Sequence, residues 1–124
     1  MYRELYQQAK AVMKFAYAPY SKFPVGAVLL TAGGVMHTGV NVENASSGAT
    51  ICAERVACCK AISEGNKDFE AIAICSSEGL VWPCGICRQF MYEFNPEMKV
   101  IIGDDEDHLE VYELAELLPK GFSL

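Results

Sequence analysis

Apolar positions change their period several times along this chain. Over residues 2–16 they fall at Leu5, Ala9, Val12, Met13 and Ala16, the spacing of one helical face. Ala18-Pro19-Tyr20-Ser21 ends that helix, because proline disfavours helical backbone at the residue before it. Val25 to Thr31 is a continuous apolar run, and Val35 to Asn41 follows it across Ala32-Gly33-Gly34. Two short runs joined by a Gly-Gly turn predict a β-hairpin. The stretch Glu43 to Thr50 is turn chemistry, with Thr50 as the expected cap of a helix running to about Glu64, where Gly65-Asn66 stops it. Ala71 to Cys75 reads as a strand buried on both faces. A loop through Trp82-Pro83-Cys84-Gly85 leads into a helix from about Gly85 to Phe94, ended by Asn95-Pro96. Lys99 to Ile102 is the next strand, residues 109–112 a further one, and Glu113 to Leu118 a last short helix. That order predicts an α/β fold: a three-layer α/β/α sandwich around a mixed sheet of roughly five strands.

Composition narrows the class. A chain of 124 residues should expose about 6,600 Å² when folded against about 20,000 Å² unfolded, so an ordinary core is available. With 52% hydrophobic and 21% charged residues, disorder is excluded. No repeat or linker divides the chain, so residues 1–124 are expected to form a single domain. No apolar run reaches the length of a membrane span. The first residues lack the apolar stretch of a secretory signal, and no lipidation motif closes the chain, so the expected address is cytoplasmic. A net charge of −6 opposes binding to a phosphate backbone. The acidic excess in Asp104 to Asp107 and at Glu110, Glu113 and Glu116 reads as a solvated loop and helix face. A small molecule, and no nucleic acid or membrane, is the expected partner.

Six cysteines without a secretory signal do not make a disulfide framework. Three of them stand apart. Cys84-Gly-Ile-Cys87 lies where a loop enters a helix, and Cys52-Ala53-Glu54 begins another helix 32 residues upstream. Zinc takes thiolates in a tetrahedron, and a catalytic site leaves its fourth position to water. Cys52, Cys84 and Cys87 are the candidate ligands of one Zn²⁺. A helix N-terminus lowers a thiol's pKa and prepares it for metal. Glu54, in the first turn after Cys52, is placed to act as general acid and base and not as a ligand. Three thiolates on Zn²⁺ leave a net −1, so a cation should stand near the sulfurs. Arg55 and Arg88 are the candidates, and at least one of them, Arg55 first, is expected to hydrogen-bond a ligand sulfur. Cys58, Cys59 and Cys75 fall in apolar patterns and read as buried structural thiols. Two plainer accounts compete. A redox dithiol leaves Cys52 and Glu54 without a task, and a structural zinc module needs a fourth ligand and leaves Glu54 unexplained.

Beyond the cysteines the chain resembles the small homotetrameric zinc-dependent cytidine deaminases along nearly its whole length. The matching segments are Tyr17 to Ala27, Thr38 to Ala45, Thr50 to Arg55, Pro83 to Gln89 and Glu116 to Pro119. The resemblance implies hydrolytic deamination of cytidine and 2′-deoxycytidine to uridine and 2′-deoxyuridine, with ammonia released, as in pyrimidine salvage. Zinc would activate a water toward C4 of the base while Glu54 carries protons to N3 and to the leaving ammonia. It also implies that Asn41 and Glu43 hold the ribose hydroxyls, that the Ala53 backbone contacts the base edge, and that Phe23 lines the pyrimidine pocket. An Asn and a Glu two apart on extended chain point the same way, as a clamp on a diol requires. By the family's pattern the sites of a homotetramer are completed by neighbouring subunits, and Phe122 matches the aromatic that stacks on the base. Ser47 stands where many members carry tyrosine. A related group deaminates a nucleoside antibiotic, blasticidin S. A deaminase of a modified nucleoside and a non-catalytic zinc-stabilised module are therefore the alternative expectations.

Overall fold

The computed structural model describes all 124 residues. Helix α1 runs Tyr2–Val12, β1 Val25–Thr31, β2 Met36–Val40, α2 Ala53–Ser63, β3 Phe69–Ser76, α3 Gly85–Tyr92, β4 Lys99–Asp105, β5 His108–Glu113 and α4 Leu114–Leu117. The accessible surface, 6607 Å², is what a compact chain of this length should expose.

The five strands form one sheet in the order β2-β1-β3-β4-β5. Only β3 and β4 run parallel, joined by the crossover through α3, and the remaining pairs are antiparallel. Side chains alternate across a strand, and the two cores follow that alternation. Ala27, Leu29, Ile72, Ile74, Val100 and Ile102 face α2, α3 and α4, whereas Val28, Leu30, Ala71, Ala73 and Ile101 face α1. The inner strands are therefore apolar at nearly every position, and edge strand β2 alternates between buried and half-buried.

Two glycines set how closely the outer layers approach. A Cβ on Gly26 would lie 2.0 Å from the Ala9 carbonyl oxygen of α1. On the other face, a Cβ on Gly39 would lie 2.3 Å from the Ala53 carbonyl oxygen and 2.5 Å from the Ala57 nitrogen of α2. With Ala53 and Ala57 opposite it, Gly39 lets the first turn of α2 rest on the backbone of β2.

Several boundaries differ from expectation. The helical stripe to Ala16 ends as α-helix at Val12 and continues as a 3₁₀ turn over Met13–Phe15. Thr50 does not cap α2: its hydroxyl accepts the Asn44 N–H at 3.1 Å, and Cys52 occupies the N-cap position. The acidic run is a hairpin turn rather than a free loop. Arg3 pairs with Asp107 and Glu106, and Gln7 donates to Glu106 at 2.8 Å, so the turn is clasped to α1. His108 opens β5 and bonds Asp105 at 2.9 Å.

Candidate active site

The site forms where residues 41–43 leave β2. Val42 exchanges two backbone hydrogen bonds of 2.9 Å with Ile51. On its other side Tyr17 N–H donates to Asn41 O, and Glu43 N–H to Tyr17 O, both at 2.9 Å. This small ladder holds the 41–43 segment extended, brings the loop after α1 alongside it, and delivers the chain to Cys52.

Cys52 and Cys84 are the N-cap residues of α2 and α3, with nearly the same backbone (φ −72°, ψ 154° and φ −70°, ψ 166°). Neither helix start has a side-chain cap, so the positive end of each helix is left beside its cysteine. Cys87 follows within the first turn of α3. The three Sγ atoms lie within 4.8 Å of one another, with Cys52 and Cys84 3.6 Å apart. Tetrahedral zinc with bonds of about 2.3 Å requires sulfurs about 3.8 Å apart. This donor set therefore fits one zinc ion and leaves one position open.

The positive charge demanded by three sulfurs comes from Arg55, whose guanidinium donates to Cys52 Sγ at 3.7 Å. Its Nε is buried without a partner, on the same guanidinium that reaches the sulfurs. The Cys52 thiol is lowered to about 5, mainly because it accepts a hydrogen bond from Cys87, with Arg55 and Cys84 adding to the effect. Arg88 does not reach the sulfurs. It donates to the carbonyls of Pro83 and Leu117, each at 2.7 Å, and staples the loop before Cys84 to α4. Its sequence neighbours suggested an electrostatic task, but its bonds give it a structural one.

Glu54 is 4% exposed. Burial, assisted by the neighbouring Cys52 charge and partly opposed by Arg55, pushes its carboxyl up to about 7. It lies in the wall of a cavity of about 260 Å³ together with Cys52, Cys84, Ala53, Phe23, Asn41 and Glu43. All the expected substrate contacts except Phe122 therefore meet in one hollow. Ser21, Thr50, Val81 and Trp82 also line it, and none of these is among the substrate contacts expected from the sequence. Asn41 and Glu43 do face the same way, but both also hold the neighbouring loop. The Asn41 amide accepts from Val25 N–H and donates to Phe23 O, both at 2.9 Å, which fixes the backbone beside Phe23.

Phe122 is 63% exposed, outside this cavity, and tied to α3 by hydrogen bonds with the Gln89 side chain. Of the remaining cysteines, Cys58 and Cys75 are buried, and burial raises the Cys58 thiol well above its ordinary range. Cys59 is exposed, contrary to expectation. A larger hollow of about 630 Å³ lies at the other end of the sheet, beside Ala32, Phe69 and Lys99. It contains no cysteine or histidine, so its size does not make it the site of chemistry.

Comparison with known proteins places the whole chain in one company. A family model described as the cytidine and deoxycytidylate deaminase zinc-binding region matches residues 1–104. A cytidine deaminase of Sporosarcina psychrophila is 44% identical over 122 residues, 97% of this chain and 90% of that protein. One from Halalkalibacterium halodurans is 45% identical over 121 residues, covering 96% and 92%. Among solved structures, cytidine deaminase from Burkholderia pseudomallei superposes with a TM-score of 0.92 at 41% identity, covering 98% of this chain and 99% of that one. The Mycobacterium tuberculosis cytidine deaminase gives 0.80 at 37% identity, covering 98% and 94%.

Proposed function

The chain belongs to the cytidine and deoxycytidylate deaminase zinc-binding family, and from that premise we infer that it is a zinc-dependent cytidine deaminase. The reaction is hydrolytic: a C4–O bond forms, the C4–N bond of the amine breaks, and cytidine and water become uridine and ammonia. The observation that carries this reading is the meeting of three sulfurs from two helix starts at a cavity of about 260 Å³ whose wall holds two of them, Cys52 and Cys84, beside the buried Glu54.

Cys52, Cys84 and Cys87 hold the zinc, which when bound supplies a Lewis acid able to ionise water near neutral pH. Arg55 draws charge from the Cys52 sulfur and so offsets the excess of thiolate over metal charge. Glu54 has no ion-pair partner and little solvent. It accepts a proton from the attacking water, passes it to ring N3, and carries the second proton to the departing amine. Phe23 and the Ala53 backbone bound the base, and Asn41 and Glu43 meet the sugar hydroxyls across the same hollow. 2′-Deoxycytidine keeps the 3′-hydroxyl for this clamp and is accepted as well as cytidine, and the enzyme serves pyrimidine salvage.

The working form is a homotetramer. Phe15, Tyr17, Tyr20, Ile86 and Phe122 are large apolar side chains left exposed on one chain, which supports burial by neighbouring copies. In that assembly Phe122, pinned by Gln89 but outside its own cavity, stacks on the base in a neighbour's site. No helix is long and apolar enough to cross a membrane, and a nucleoside substrate is consistent with a cytoplasmic enzyme.

An ultraviolet assay on cytidine with metal analysis of the same preparation tests the reading. One zinc per chain and loss of cytidine absorbance are expected. A zinc-loaded protein that leaves cytidine unchanged while converting another aminopyrimidine would replace it.

A further inference from the structure

Glu43 is held from one side only. Its Oε1 accepts two backbone N–H groups, from Tyr20 at 2.9 Å and Ser21 at 3.0 Å, and its Oε2 accepts the Ser21 hydroxyl. A carboxylate offers about four lone-pair sites. Three are thereby filled, and the one left belongs to Oε2 on a residue that lines the cavity. Ser21 does more than fill a site. Its Oγ also accepts the Phe23 N–H at 3.0 Å, so one hydroxyl joins the sugar-side carboxylate to the backbone of the base-side aromatic. Between them Lys22 sits at φ 58°, a left-handed conformation that costs a side-chain-bearing residue energy and persists only where its surroundings enforce it. These hydrogen bonds also hold the Glu43 carboxyl below the usual carboxylate range, with the Ser21 hydroxyl the largest cause.

We propose that Ser21 is a positioning residue: its hydroxyl fixes Glu43 so that one acceptor site remains for a sugar hydroxyl, and this sets the preference for hydroxylated over dideoxy nucleosides. The inference rests on the deaminase reading and adds to it a residue that selects among substrates without touching the reacting atoms.

The test compares kcat/KM for cytidine and for 2′,3′-dideoxycytidine in the zinc-loaded wild type and in Ser21→Ala, Ser21→Cys and Ser21→Thr. A hydrogen bond to a charged group is worth roughly tenfold or more in binding. In Ser21→Ala the ratio of the two kcat/KM values should fall by about tenfold, through KM for cytidine and not kcat. Ser21→Cys, a weak donor of similar shape, should fall in the same direction if the alanine variant does not fold. Ser21→Thr, which keeps the hydroxyl, should retain the ratio. Equal losses on both substrates, or an unchanged ratio in alanine and cysteine variants alike, overturn the proposal. Wild-type protein inactive on cytidine would instead sink the deaminase reading itself, so the two failures are distinguishable.

Discussion

Replacing Gly39 by alanine should damage catalysis from the far side of a helix. A Cβ there would lie 2.3 Å from Ala53 O, 2.5 Å from Ala57 N and 3.0 Å from Ala57 Cβ. The two nearest atoms belong to the backbone of α2, so no rotamer change relieves them. Reaching ordinary contact near 3.4 Å requires the first turn of α2 to lift from β2 by about 1 Å. Ala53 sits between Cys52 and Glu54, so the same displacement moves a candidate zinc ligand and the proposed proton carrier relative to the Cys84/Cys87 pair. Overpacking of this kind costs about 1–3 kcal/mol of stability, and an ångström of misplacement at a catalytic group can cost about 10²-fold in rate. Gly26→Ala is the matched control. Its Cβ would meet Ala9 O at 2.0 Å, on α1 across the sheet from the cysteines. Melting curves and steady-state kinetics on cytidine, corrected for folded fraction, separate the two. Both variants should melt lower; Gly39→Ala should lose about 10²-fold in kcat, while Gly26→Ala keeps its rate within a few-fold. Full activity in Gly39→Ala, or equal loss in Gly26→Ala, would refute the reasoning.

Three further outcomes follow from the site. Glu54→Gln should keep zinc, lose about 10²–10⁴-fold in turnover, and melt no lower than the parent, because a buried unpaired carboxylate is removed; metal analysis, kinetics and calorimetry check it. Arg55→Ala should retain part of its zinc yet lose activity, since Cys52 loses its charged donor; full activity would fault the charge argument. Stripping the metal with a chelator should abolish turnover and lower the melting temperature, because an ion held by all three sulfurs would tie the starts of α2 and α3 together; re-addition of Zn²⁺ should restore both.

The elements were legible wherever apolar period and punctuation agreed, as in the hairpin around Gly33-Gly34 and in both cysteine-bearing helices. Structure and expectation part where one residue type serves two purposes. Thr50 looks like a helix cap, but its hydroxyl is spent on the turn before α2, and a cysteine takes the cap position. Asp104 and Asp105 hid the strand beneath them, because β4 and β5 can carry charge where they leave the core. Cys58 and Cys59 are neighbours on a helix and point about 100° apart, so burial of one exposes the other. Within the site, ligand spacing located the three sulfurs and Glu54. Sequence adjacency could not tell which arginine faces them, because a guanidinium finds carbonyl oxygens as readily as thiolates. Ser21 left no signal, since what brings it to the cavity is long-range pairing of residues 17, 42 and 51, and Trp82 left none because it arrives on the loop between β3 and α3, packed against Tyr112 of β5.

Zinc-edge X-ray absorption on the purified protein tests the central claim most directly. Three sulfurs at about 2.3 Å and a single lighter, exchangeable ligand at about 2.0 Å are expected, with one sulfur lost in each of Cys52→Ser, Cys84→Ser and Cys87→Ser wherever metal is retained. A fourth protein ligand closing the ion, or a sulfur count unmoved by Cys52→Ser, would contradict it.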